Sequence, residues 1–201
     1  LKGTFGEPRS FSIRAHRALK TRINDFDIVH DNQCLGYGIL KIEKIIPTIV
    51  TLHHPITKDR KLEMEHTPTW WKRKAIGRWY SFVEMQGKVA SKMPRVVVVS
   101  KNSIDDIHTD MKVPLDRMRL VPVGVDHELF SPKPSVQRKP GHMITTASAD
   151  VALKGLSYLL EALAKLRTER EVHLTIIGKP REGANADLIR SLGLEDCITH
   201  V

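Results

Sequence analysis

Apolar and polar positions along the chain follow two periods, and the switch between them marks the elements. Leu156, Leu159, Leu160, Leu163 and Leu166 fall at helical spacing and predict a helix over Leu156–Arg167. Strand-like runs flank it at 142–147 and 172–178, and Lys154-Gly155 stand where the loop opens into the helix. Upstream, a basic helix is predicted over 9–22 and a strand over 23–30, ending in the polar cluster His30-Asp31-Asn32-Gln33. Leu35, Ile39, Ile42 and Ile46 predict a short helix stopped by Pro47, and Thr48–Leu52 reads as a buried strand ending in His53-His54-Pro55. A charged loop is expected over 56–68. One long helix is expected over 70–92, with Trp71, Ala75, Trp79, Phe82 and Val89 on one face. Strands over 95–99 and 118–123 frame a helix over 104–111 capped by Ser103. Beyond a short helix over 184–192, residues 198–201 begin a further strand.

The alternation predicts an α/β fold of mostly parallel sheets, in which binding sites lie at the carboxyl ends of strands. His30, His53, Ser100, Gly124, Lys154 and Lys179 fall at such ends. The Pro-rich stretch over 131–141 divides a first domain, 1–130, from a second, 142–201. A helix start with free N–H groups and a lysine beside it suits a phosphate, although a surface lysine before an ordinary helix reads the same way.

Composition narrows the classes. At 41% hydrophobic and 27% charged, the 201 residues are ordinary for a globular protein. No apolar run is long enough to span a bilayer, and no secretory leader is visible at Leu1. The net charge of +9 points to an anionic partner. With aromatics at 5% and no interleaved aromatic–basic platform, nucleic acid is not expected. Lys72, Arg73 and Lys74 allow two readings of the 70–92 helix: a solvated basic edge on a core-packed helix, or a surface meeting anionic lipid. Cys34 and Cys197 are far apart, which fits free thiols in a reducing compartment, and nothing in the histidine spacing suggests a metal site. The fingerprints of P-loop nucleotide binding, of dinucleotide binding and of the hydrolase elbow are missing.

Three segments taken together are more specific. They are Phe26-Asp27-Ile28-Val29-His30 with Pro47-Thr48-Ile49-Val50-Thr51-Leu52-His53; Val121-Pro122-Val123-Gly124-Val125-Asp126 with Phe130 and Pro132; and Lys154-Gly155-Leu156 followed by Ile176-Ile177-Gly178. In this order the chain resembles the family 4 retaining glycosyltransferases over almost its whole length. The resemblance implies the glycosyltransferase-B fold: two Rossmann-like domains, here both incomplete, with the acceptor on the first and the nucleotide-sugar donor on the second. It implies transfer to an acceptor hydroxyl with retention and without a metal or other cofactor, the nucleotide-diphosphate sugar being a co-substrate. By the same resemblance His53 faces the transferred sugar. Lys154, Gly155, Gly178, Lys179 and Gly124 lie on the donor side, and His30 and Asn32 on the acceptor side. Gly124-Val125-Asp126 is expected to form a tight turn.

The implied acceptor is a saccharide, a lipid or a polyol, and the expected location is cytoplasmic, with the inner face of the membrane as the further option. Three departures stand out. The arginine that shares the diphosphate with the family lysine is absent from Thr145-Thr146-Ala147-Ser148-Ala149-Asp150, with Arg181 a conceivable substitute. The family's paired glutamates and its opening glycine-rich loop are missing too, so a piece of a longer protein is expected, inactive by itself. A sugar-nucleotide epimerase of similar fold and a non-catalytic module binding sugar or anions are the alternatives.

Overall fold

The structure is a computed structural model that describes residues 5–146, 154–178 and 182–201. The chain divides into two compact units, Leu1–Val125 and Asp126–Val201.

In the first unit four parallel strands lie in the order β1 (Val29–Asn32), β2 (Thr48–Leu52), β3 (Val96–Val98) and β4 (Met118–Leu120). Helices α1 (Glu7–Lys20), α2 (Tyr37–Glu43), α3 (Thr57–Glu65), α4 (Trp70–Trp79), α5 (Phe82–Ala90) and α6 (Lys101–Met111) precede or connect them. Val50, Leu52, Val96 and Val98 from the sheet pack with Ile39, Ile42, Val89 and Ile107 from the helices in one core. Parallel strands joined by helices need such a covered face, which explains the unbroken valine run in β3.

Two glycines set how α1 meets α2. A Cβ at Gly38 would stand 2.0 Å from the carbonyl oxygen of Ser12, and one at Gly36 would stand 2.2 Å from its Oγ. Ser12 itself is fully buried, and its hydroxyl accepts from the Gly38 N–H at 3.1 Å. The helices therefore touch through backbone, a contact only glycine permits.

The second unit holds three parallel strands in the order β5 (His142–Thr145), β6 (His173–Ile176) and β7 (Ile198–His200), with α7 (Leu156–Arg167) and α8 (Ala184–Ser191). The leucine stripe faces inward as its spacing predicts: Leu156, Leu160 and Leu163 are buried with Leu174, Ile176 and Leu194. Arg167 at the end of α7 forks onto the Asp196 carboxylate, with Nη1 at 2.7 Å from Oδ1, and this pairing holds the Asp196 carboxyl below its ordinary value. Both cysteines are free thiols.

Four expectations need correction. The first strand begins at Val29 rather than Ile23 and runs on through Asp31 and Asn32 rather than ending at His30. Its ladder starts with the Val29 N–H donating to the Pro47 carbonyl at 2.9 Å, so the start of β2 fixes the start of β1. The charged stretch after His53 is the helix α3, not a loop. It buries no residue, so it has no apolar stripe to read, and it relies on charge pairs such as Lys61–Glu65 at 4.0 Å. The long helix over 70–92 is two helices. It breaks where Tyr80 donates its hydroxyl to Glu63 on α3 at 2.8 Å; burial and that carboxylate push the phenol up to about 12. Trp71 lies outside the core, 55% exposed, and Ile76 takes the inward position on α4. Finally, Ser100 rather than Ser103 caps α6, accepting from the Ser103 N–H at 3.1 Å.

Candidate active site

The parallel register sorts the residues of β1 onto two faces. His30 pairs with Ile49 and Asn32 with Thr51, so His30, Asn32, Ile49 and Thr51 share one face, and His53 continues it past the end of β2. Asp31 and Val50 lie on the other, buried face. The exposed face carries a polar ladder. His30 Nε2 meets Thr51 Oγ1 at 2.7 Å, and His53 Nε2 meets Asn32 Oδ1 at 2.7 Å. The structure thus brings together His30, Asn32 and His53 from two strands. His30 occupies the second position of β1, not its carboxyl end.

His53 is held at three points. Its N–H donates to Gln33 Oε1 at 2.7 Å, its carbonyl accepts from Ser103 Oγ at 3.2 Å, and its ring rests on Asn32. An amide oxygen only accepts, so in the neutral ring this contact puts the proton on Nε2 and the lone pair on Nδ1. A positioned imidazole with a free acceptor nitrogen can take or polarise a hydroxyl proton.

Below this face Asp31 is buried. Burial raises its carboxyl above the ordinary value near 3.8, while the N–H groups of Leu35 and Cys34 and the nearby His30 pull it back down. Its Oδ2 accepts from the Leu35 N–H at 2.9 Å. The Cys34 thiol, donating to the Pro8 carbonyl at 3.2 Å, is likewise raised by burial and stays protonated.

In the second unit Gly155 stands at the N-cap of α7 with φ +67°, a left-handed backbone that favours glycine. A Cβ there would meet only the edge of Tyr158 at 3.9 Å, so the glycine serves the turn itself. Lys154, just before it, is exposed. Gly178 leaves β6 with φ +129° and donates its N–H to the Val201 carbonyl at 2.7 Å. Lys179 and Arg181 lie outside the described residues.

Gly124 is exposed, with open space where a Cβ would be and no left-handed backbone. The tight turn expected there begins instead at Asp126. Its Oδ1 accepts from the N–H groups of Glu128 at 2.9 Å and Leu129 at 3.0 Å, so the carboxylate and not the glycine makes the turn. Among the described residues no three His, Cys, Asp or Glu side chains form a group that could hold a metal ion.

Gln33, Gln86 and Ser103 were not singled out from sequence as site residues. One signal was present: Gln86 interrupts the apolar stripe of Val83, Val89 and Ala90, a polar residue at a core position.

Comparison with known proteins bears on the family and the fold. Residues 2–129 match the model of the family described as Glycosyltransferase Family 4. A relative from Mycolicibacterium hassiacum, named MMP alpha-(1->4)-mannosyltransferase, is 47% identical over 196 residues, covering 96% of this chain and 47% of its own. The chain therefore spans about half the length of that relative. A solved structure of Anabaena Alr3699/HepE in complex with UDP and glucose superposes with a TM-score of 0.64 at 16% identity, over 100% of this chain and 53% of that one. A glycosyltransferase from Rickettsia africae superposes with a TM-score of 0.58 at 16% identity, over 100% and 52%. The solved structures share the fold of parallel α/β units described above, and the family match over residues 2–129, more than half of the chain, shows that the chain belongs to glycosyltransferase family 4.

Proposed function

We propose that the intact protein is a retaining glycosyltransferase that moves a sugar from a nucleoside-diphosphate sugar to an acceptor hydroxyl without a metal ion. The observation that carries the reading is the three-point fixing of His53 on the exposed polar face of the first sheet. Two of these bonds fix the main chain of His53 and the third fixes its ring, so an imidazole at a solvated strand end is held in one orientation. In this reading His53 lines the reaction centre, and His30 and Asn32 line the acceptor side. Lys154 and the free N–H groups at the start of α7 take the charge that develops on the departing diphosphate, as a helix start and an ammonium can do. Gly155 lets the backbone come close to the donor, and in this reading Gly178, Lys179 and Gly124 lie on the donor side. The relative named for mannosyl transfer and the neighbour solved with UDP and glucose make hexose donors the first to try.

The test is incubation of the intact enzyme with a panel of nucleotide sugars, GDP-mannose and UDP-glucose first. The expected products are free nucleoside diphosphate and a glycosylated acceptor of unchanged anomeric configuration, formed equally well with a chelator present. An isomerised donor would mark an epimerase, and binding without turnover would leave a non-catalytic module. Inverted product would remove retention, and loss of activity to the chelator would remove metal independence.

The surface of α4 favours one further partner. Trp70 and Trp71 are 68% and 55% exposed, with Lys74 Nζ over the first ring at 5.2 Å and Lys72 Nζ over the second at 5.5 Å. The helix carries Lys72, Arg73, Lys74 and Arg78 and no acidic residue. Indoles beside ammonium groups suit the headgroup layer of an anionic membrane, which would put the enzyme at the cytoplasmic face. Among the described residues no helix is long and apolar enough to cross a bilayer. Co-sedimentation with anionic vesicles at low salt, weakened by Trp70→Ala with Trp71→Ala, is the expected result. A protein that stays in the supernatant would end this reading.

A further inference from the structure

β1 ends at Asn32, whose partner on β2 is Thr51. From there the main chain of Gln33 turns away with φ 60°. Its side chain occupies the place the strand vacates. Oε1 accepts from the His53 N–H at 2.7 Å, and Nε2 donates to the His54 carbonyl at 2.9 Å. One amide thus satisfies a donor and an acceptor on two consecutive residues, as another rung of the ladder would.

This works only while Gln33 keeps a backbone that is disfavoured for a residue with a Cβ. Two buried polar side chains hold the loop in that shape. Gln86 on α5 is 2% exposed, and its Nε2 donates to the carbonyls of Gln33 at 3.0 Å and Cys34 at 3.3 Å. Asp31 holds the N–H of Leu35, the next left-handed residue, with φ 48°. A buried amide is costly unless its hydrogen bonds are made, so Gln86 sits among valines with a defined task.

We infer that Gln33, locked by the buried Gln86, is a positioning residue that sets the place and orientation of the His53 imidazole. The inference rests on the reading of His53 given above for its effect on rate, but its geometric content stands apart. Gln86 acts through Gln33, and neither side chain need touch substrate.

The test uses the intact enzyme with Gln33→Leu, Gln33→Glu and Gln86→Leu, each checked for folding by circular dichroism. Two readouts are taken: kcat against donor KM, and the ring nitrogen signals of His53 by NMR. Displacing a reacting group by about 1 Å costs on the order of a hundredfold, so Gln33→Leu is expected to lower kcat roughly tenfold to a hundredfold. A pure positioning effect leaves donor KM within about twofold. With the main chain of His53 displaced, the Nε2–Asn32 contact that fixes the tautomer is expected to loosen, and the ring to pass from one tautomer to a mixture in Gln33→Leu and Gln86→Leu. Gln33→Glu can still accept from His53 but cannot donate to His54, so it is expected to fall between them and the wild type; it also serves if the leucine variants do not fold.

An unchanged ring signal with kcat within about twofold of wild type, in every variant that folds, would overturn the inference. If His53→Ala kept full activity, the role of His53 in turnover would fall, while its ring signal in the Gln33 variants would still decide the clamp.

Discussion

His30, Asp31 and Asn32 are consecutive, yet they do different work because a strand sends them to alternate faces. The outer two pair with Thr51 and His53, and the middle one is buried under the loop that carries Gln33. Burial raises the Asp31 carboxyl above its ordinary value near 3.8. The folded state then holds that proton more tightly than the unfolded state. The stability this contributes is complete below pH 3.8 and is lost as pH rises through the folded value. Asp31→Asn cannot ionise, and its amide oxygen can still accept from Leu35. Relative to the wild type it should gain stability as pH rises above 3.8 through the raised folded value. Denaturant titrations of both proteins across that interval check this, and parallel curves would contradict it.

His30 and His53 stand out in the sequence because each ends an apolar run, and the family resemblance adds Asn32 and the expected roles. The bonds of Gln33, Gln86 and Ser103 around His53 could not be read, since they join residues 20 to 53 positions apart that no local pattern connects.

Elements with an apolar stripe were legible, and elements without one were not. Thr48–Leu52 and Leu156–Arg167 have the predicted bounds because β-branched and leucine positions mark them end to end. α3 was not legible because it buries no residue, so no apolar stripe marks it; its Glu63 accepts from the Tyr80 hydroxyl, a bond no local pattern shows. The same bond explains why the apolar run after Trp70 is split into α4 and α5. The α1–α2 contact was not legible, because nothing in the local pattern marks Gly36 and Gly38 as packing positions against Ser12.

Gly38→Ala should separate those helices, because its Cβ would collide with the Ser12 backbone and not with a movable side-chain tip. A loss of roughly 1–3 kcal/mol is expected from such overpacking, read as a lower unfolding midpoint; an unchanged midpoint would show that α1 can move freely. In the second unit Leu160→Ala empties a fully buried position on α7. The expected loss is about 2–5 kcal/mol, measured by denaturant unfolding. A loss below about 1 kcal/mol would mean the leucine stripe is not packed as described.

Each unit has its own apolar core and its own all-parallel sheet, so the polar groups of each sheet must be judged within that unit. The first contributes a fixed imidazole. The second contributes an exposed ammonium ahead of a helix whose first turn is entered through a left-handed glycine. The reaction centre of the proposal rests on the fixed imidazole, and its diphosphate half rests on that second feature, since departing diphosphate must find positive charge. The excess of 32 Lys and Arg over 23 Asp and Glu is consistent with an anionic ligand but does not say where it binds. Substitution of Lys154 by Ala in the intact enzyme asks the question directly. Loss of one group that stabilises charge in the transition state typically lowers kcat on the order of a hundredfold or more, and that is the predicted result, with the variant still folded. A kcat within about twofold of wild type would contradict the assignment of the diphosphate to the start of α7.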